Sequence, residues 1–193
     1  MTTKHDLFEK WKATNPTERW SIYWMKQLSL NVEFLFEKGF WVIPLGIKSK
    51  RPIQGYKWLD QCLTKNEALL HVGSGGNLGV VAGLSKPKLT ILDLDSKVDF
   101  NFPKTLTSES PNGKHFFTLG SYSEQLFRKI KEKYNFDLAR SGSGYVVLPL
   151  SETCRREHQD HPCPEGKHDY HVHIWEDQYQ QMIPFRKFVK DCL

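Results

Sequence analysis

The sequence predicts a protein of the α/β (α+β) class with a mixed or antiparallel sheet, and three observations predict it. Short apolar, β-rich segments recur at residues 40–45, 78–82, 89–96, 116–119, 135–140 and 145–150, most of them flanked by Gly, Pro or Asn. Helical spacing of apolar residues separates them, over residues 15–38 and again in the amphipathic stretch 122–133. A chain of 193 residues that is 39% hydrophobic and 13% aromatic, with no low-complexity tract, can bury a real core as one large domain or two small ones.

In chain order, Asn15-Pro16-Thr17-Glu18 reads as a helix start, with Asn15 capping free amides, Pro16 pre-set at the first helical position and Glu18 reaching back. Trp20, Tyr23, Trp24, Leu28, Leu35 and Phe36 follow as core residues of one helix, or of two meeting near Ser29, and Gly39 supplies the stop. The strand at 40–45 leads into the basic turn Lys48-Ser49-Lys50-Arg51-Pro52, which either cradles phosphate or is a solvated charged turn. Residues 58–61 and 66–72 read as short helices. The glycine-rich turn 73–77 precedes no Lys-Ser/Thr pair, so it is no Walker phosphate loop; it feeds the strand at 78–82.

Residues 89–96 (LTILDLDS) run an apolar strand straight into two acids. Alternation puts Asp93 and Asp95 on the face of Leu89 and Ile91, roughly 6–7 Å apart along the backbone. Hard cations such as Mg²⁺ and Mn²⁺ want carboxylate oxygens, and two-metal sites set their ions roughly 3.5–4 Å apart, a span that same-face acids can bridge. Two solvated aspartates at a strand exit are the plain alternative. A polar connection then reaches the Asn112-Gly113 turn, which sets Lys114 and His115 at the start of a strand able to lie beside the acids. There His115 can contact a triphosphate and Lys114 can balance its charge. Asp137, flanked by Phe136 and Leu138, needs a partner because an unpaired buried carboxylate is costly; Arg140 or a shared metal can serve.

Between 154 and 173 the chain is crowded with Cys and His. Thiolates plus imidazoles select Zn²⁺, and the spacing favours Cys154, His158, Cys163 and His168 as a structural site stapling an excursion between two strands, against a histidine-rich solvated loop. His171 and His173 share a strand face there and either serve elsewhere or simply line the sheet. Residues 171–175 read as a strand and 183–192 as a closing helix.

Lys and Arg total 27 against 22 acids, a net charge of +5 that permits a polyanionic partner without requiring one. No apolar run approaches the roughly 18–20 residues of a membrane span, and MTTKHD lacks the apolar core of a secretion signal. An intracellular, cytoplasmic protein with no membrane partner is expected.

Taken together, the ordered pieces resemble the bifunctional primase-polymerase (Prim-Pol) domain of the archaeo-eukaryotic primase superfamily, found in replication proteins of plasmids and phages. The resemblance covers roughly residues 31–175: Gly39 and an aromatic-apolar strand, the Lys50-Arg51-Pro52 turn, NLGVVAG at 77–83, LTILDLDS at 89–96, SPNGKH at 110–115, Phe136-Asp137, and GSGYVVLP at 142–149. It implies a primase-type catalytic core, an RNA-recognition-like palm plus an N-terminal αβ module. Residues 1–30 would then be a helical extension and 31–193 the catalytic domain, with a Cys/His-rich insertion at 151–173.

By the same resemblance Asp93, Asp95 and Asp137 would bind Mg²⁺ or Mn²⁺, and His115 would contact the nucleotide. Lys50, Arg51, Lys114 and Arg140 would neutralise the triphosphate, with Ser110, Asn112, Gly113 and Ser141 around it. Nucleoside triphosphates and a single-stranded DNA template with primer are the implied partners, with a helicase region or another replication protein as a further one. The chain would be either a fragment of such a protein or a stand-alone enzyme. A metal-dependent nuclease or phosphatase, and a non-catalytic single-strand-binding module, remain as alternatives.

Overall fold

The structure, a computed structural model, describes residues 3–14, 20–95, 101–110, 113–134, 136, 138–154, 170–177 and 180–193. Its helices are α1 (Lys4–Thr14), α2 (Trp20–Glu37), α3 (Lys65–Gly73), α4 (Glu124–Tyr134) and α5 (Phe185–Cys192). Its strands are β1 (Val42–Ile47), β2 (Gly76–Val81), β3 (Leu89–Leu94), β4 (Leu106–Glu109), β5 (Lys114–Leu119), β6 (Leu138–Arg140), β7 (Tyr145–Val147), β8 (Glu152–Cys154), β9 (Tyr170–Val172) and β10 (Ile174–Trp175). They form a three-stranded sheet in the order β1-β2-β7, a five-stranded sheet in the order β10-β4-β5-β3-β6, and a β8-β9 pair. Among the described residues every pairing between these strands is antiparallel, which decides between the two expected sheet types.

In the large sheet α4 crosses between β5 and β6, and β6 returns beside β3, the order of a split β-α-β unit. This is the RNA-recognition-like palm, and β1, α3, β2 and β7 make up the αβ module beside it. β3 is covered on both faces, which is why its sequence is almost unbroken in apolar residues. Leu89 and Ile91, with Leu106 and Phe117, pack against Leu28, Val32 and Leu35 of α2 and against Val42, Leu78 and Val80 of the smaller sheet. From the other face Leu92, Leu94 and Phe116 meet Phe127 and Ile130 of α4 and Phe185, Phe188 and Val189 of α5.

α2 is one continuous helix through Ser29, so the two-helix option is set aside; residue 30 lies inside it. The helix start expected at 15–18 lies outside the described residues. At the other end Phe40 N–H donates to the Leu35 carbonyl at 3.0 Å and Gly39 N–H to that of Phe36 at 3.0 Å, the paired bonds of a Schellman stop. α3 begins with a capping box, in which the Thr64 side chain accepts from Glu67 N–H while the Glu67 carboxylate accepts from Thr64 N–H.

Two expected elements differ. Residues 58–61 are a turn rather than a helix, held where Lys57 O accepts from Asp60 and Gln61 N–H (2.9 Å each) and Trp41 Nε1 donates to Trp58 O (3.1 Å). The connection before residue 110 contains β4, a strand fixed by pairing to β5 and β10 rather than by its own apolar content.

Gly39 and Gly55 separate two costs of a side chain. Both adopt positive φ (69° and 81°), but a Cβ at Gly39 would meet the Lys86 carbonyl oxygen at 1.8 Å, whereas one at Gly55 would meet nothing within 4 Å. Gly55→Ala should therefore cost about 1–2 kcal/mol, the left-handed strain alone. Gly39→Ala should cost about 3 kcal/mol or more, because backbone must also move. Denaturant unfolding of both variants checks this, and equal losses would contradict it.

Candidate active site

The pairing of β3 with β5 sets Asp93 opposite His115, and that of β4 with β5 sets Ser108 opposite His115. Alternation continues the row of Leu89, Ile91, Leu106 and Phe117 into these three polar residues on one face. The apolar half of the row is covered by α2 and the smaller sheet. The polar half reaches solvent: Asp93 is partly buried, its side chain 14% exposed, and Asp95, just past the end of β3, is exposed.

Nε2 of His115 lies 3.4 Å from Oδ1 of Asp93, and its Nδ1 lies 3.5 Å from Oγ of Ser108. Both contacts are longer than a settled hydrogen bond of roughly 2.7–3.2 Å. Catalytic hydrogen bonds are often this long in ligand-free structures. His173 completes the surroundings of His115, its ring stacked at a centroid distance of 6.2 Å and an interplanar angle of 24°.

Asn77 organises the neighbouring basic turn. Buried at the start of β2, its Nδ2 donates to Ser49 O (3.0 Å) and Glu152 O (2.7 Å), while its Oδ1 accepts from Glu152 N–H (3.0 Å). On the far side of the turn Tyr145 Oη donates to Lys50 O at 3.2 Å. Lys50 and Arg51 therefore sit on a loop clamped by its backbone, joined through Glu152 and Thr153 to His173, whose Nε2 lies 3.0 Å from Thr153 Oγ1.

Other expected residues fall elsewhere. Lys114 is one position before His115, so it points to the opposite face, that of Leu94 and Phe116, where it forms an ion pair with Glu176 beside a cavity of about 310 Å³. Alternation alone carried that signal, since neighbouring residues in one strand cannot both face the acids. Ser110 closes the β4–β5 turn, its Oγ accepting from Gly113 N–H at 3.0 Å. Arg140 pairs with Ile91 in the β6–β3 register, and Ser141 O accepts from Gly144 N–H at 3.0 Å. Asn112, Asp137, His158, Cys163 and His168 lie outside the described residues. Cys154 ends β8 opposite Tyr170. Sequence reasoning did not assign site roles to Ser108, Asn77, Thr153 and His173, because their roles arise from pairings across distant strands and no local pattern marks them.

Among the described residues no group of three or more His, Cys, Asp or Glu side chains is assembled for a metal ion. Asp93 and Asp95 nevertheless suit a hard divalent cation, because Mg²⁺ is commonly held by one or two carboxylates and leaves its other positions to water and phosphate oxygens. No helix among the described residues is long and apolar enough to cross a membrane.

The family model described as "Bifunctional DNA primase/polymerase, N-terminal" matches residues 33–168, more than half of the 193-residue chain. No curated protein matches the chain.

Asn77→Ala would remove the amide that bonds Ser49 O and both backbone groups of Glu152 in a half-buried place. A loss of about 1–3 kcal/mol is expected by denaturant unfolding, the penalty for hydrogen-bonding groups that lose their partner away from bulk water. A loss under about 1 kcal/mol would show that water replaces the amide.

Proposed function

The chain belongs to the family of bifunctional DNA primase/polymerase N-terminal domains, and from that premise we propose that it adds nucleotides along a single-stranded DNA template, as primase, polymerase or both. The observation that carries the reading is Asp93 and His115 facing each other at 3.4 Å near the end of β3, within the matched residues. In this reaction a 3′-hydroxyl, of a primer or of the initiating nucleotide, attacks the α-phosphorus of a nucleoside triphosphate. The new P–O bond forms, the α–β bridging bond breaks and pyrophosphate leaves, with no covalent enzyme intermediate.

Asp93 and Asp95, with Asp137 as the third carboxylate, would hold Mg²⁺ or Mn²⁺, which when bound acidifies the attacking hydroxyl and offsets charge on the leaving pyrophosphate. His115 would share its Nε2–H, which faces Asp93 at 3.4 Å, with a triphosphate oxygen held beside that carboxylate, while Ser108 stands against Nδ1. Lys50, Arg51 and Arg140 counter the triphosphate charge, while Ser110, Asn112, Gly113 and Ser141 line the approach. Lys114, on the other face of β5, ties β5 to the segment after β10 through Glu176.

The structural Zn²⁺ reading belongs with this proposal. β8 and β9 hold Cys154 opposite Tyr170, so the segment between them leaves and returns at one place, a geometry that suits a stapled loop on Cys154, His158, Cys163 and His168.

Labelled nucleotide incorporation on a single-stranded template, with and without primer, in Mg²⁺ or Mn²⁺, tests the function. Asp93→Asn should lower incorporation about a hundredfold or more with melting unchanged. His115→Ala should mainly raise the apparent KM for nucleotide, about tenfold for one charge-assisted contact. Release of nucleotides from nucleic-acid ends would favour a nuclease, and salt-dependent DNA binding without product would favour a binding module. For zinc, protein purified without added metal should contain about one ion per chain, lost when Cys154 and Cys163 are both replaced by Ser. Full retention in that double variant would reject the ligand set.

A further inference from the structure

We infer that His173 is a positioning residue for His115: its buried ring forms the wall that holds the His115 imidazole edge-on to Asp93. The inference rests on the reading of His115 as the nucleotide contact.

The torsion that turns an imidazole about its Cβ–Cγ bond has broad minima, so backbone and rotamer preference alone do not fix which way the ring edge points. Packing must fix it. Asp93 and Ser108 touch only the edge of His115, at 3.4 and 3.5 Å, and both contacts are loose. The ring nearest to it is that of His173, near-parallel at 24° with its centroid 6.2 Å away.

His173 is itself held firmly. It is 2% exposed, and Thr153, which is fully buried, contacts its Nε2 at 3.0 Å. Its backbone is gripped on both sides, N–H to Ser151 O at 3.0 Å and carbonyl from Leu150 N–H at 2.7 Å. Leu150 adopts a φ of +64°, a conformation a leucine takes only when its surroundings over-determine it. The strained residue is the one that donates to His173. The arrangement is thus a chain of fixed parts, Leu150 and Thr153 to His173 to His115, ending on the residue that meets the substrate.

The test uses the full chain and two readouts. In nucleotide incorporation, His173→Ala should raise the apparent KM for nucleotide about tenfold and change kcat less than about threefold. His173→Phe, which keeps a flat ring against His115, should bring KM back to within about threefold of the parent. Independently of any activity, the imidazole resonances of His115, identified by their loss in His115→Ala, should shift and broaden in His173→Ala and stay sharp in His173→Phe.

If His173→Ala fails to fold, Thr153→Val, which removes only the hydroxyl anchor, should change KM and resonance in the same direction by a smaller amount. An unchanged His115 resonance with unchanged KM in a folded variant overturns the inference, as does a Phe variant no better than Ala. A parent protein that incorporates no nucleotide while its His115 resonance still responds overturns the polymerase reading and leaves the positioning role standing.

Discussion

The structure depends on the register of β3 against β5. Six consecutive partners, from Leu89 with Leu119 to Leu94 with Lys114, align the two strands. Because side chains alternate, a slip of one residue would set Phe116 or Lys114 against Asp93 and turn the apolar set of one strand toward the wrong core. Fully burying one Leu, Ile or Phe contributes about 1.5–3 kcal/mol, and β3 places such side chains on both faces. A His–Asp contact of 3.4 Å at the partly exposed end is worth much less. The apolar pairing therefore sets the geometry, and the polar site is carried by it.

Polar groups inside the molecule act as specifiers rather than as bulk stabilisers. Asn31, buried on α2, donates to Pro149 O at 3.0 Å and accepts from Trp175 Nε1 at 2.8 Å, which ties the helix to both the β7 exit and β10. His71 Nε2 lies 2.9 Å from both Leu45 O and Asn77 O, and a Cβ at Gly76 would strike its ring at 2.2 Å. Each such bond nets only about 1 kcal/mol when made, but leaving its partner buried and unpaired costs more. That asymmetry favours one arrangement of the turns over near alternatives, including the loop that carries Lys50 and Arg51.

Much of this was legible in the sequence, and the reasons for the remainder are physical. The apolar run into Asp93 and Asp95 and the Gly39 stop follow from periodicity and turn chemistry, which act locally. That His115 would stand beside the acids followed from the Asn112-Gly113 turn and the order of the segments. β4 was not legible because its four residues, LTSE, become a strand only through neighbours on both sides. The turn at 58–61 looked helical because the residue that fixes it, Trp41, is remote in sequence. His173 had a visible neighbour in His171, yet its stacking on His115 joins positions 58 residues apart and has no local signature.

The β8–β9 pair has a consequence for how this protein can vary. With Cys154 and Tyr170 as direct partners, the chain departs and comes back through a fixed gateway, and the closure entropy of whatever lies between grows only slowly with its length. Thr153 lies within that pair and His173 directly follows it. With both ends fixed by backbone pairing, a change of length between them acts on the segment itself before it reaches the sheet that carries Asp93 and His115.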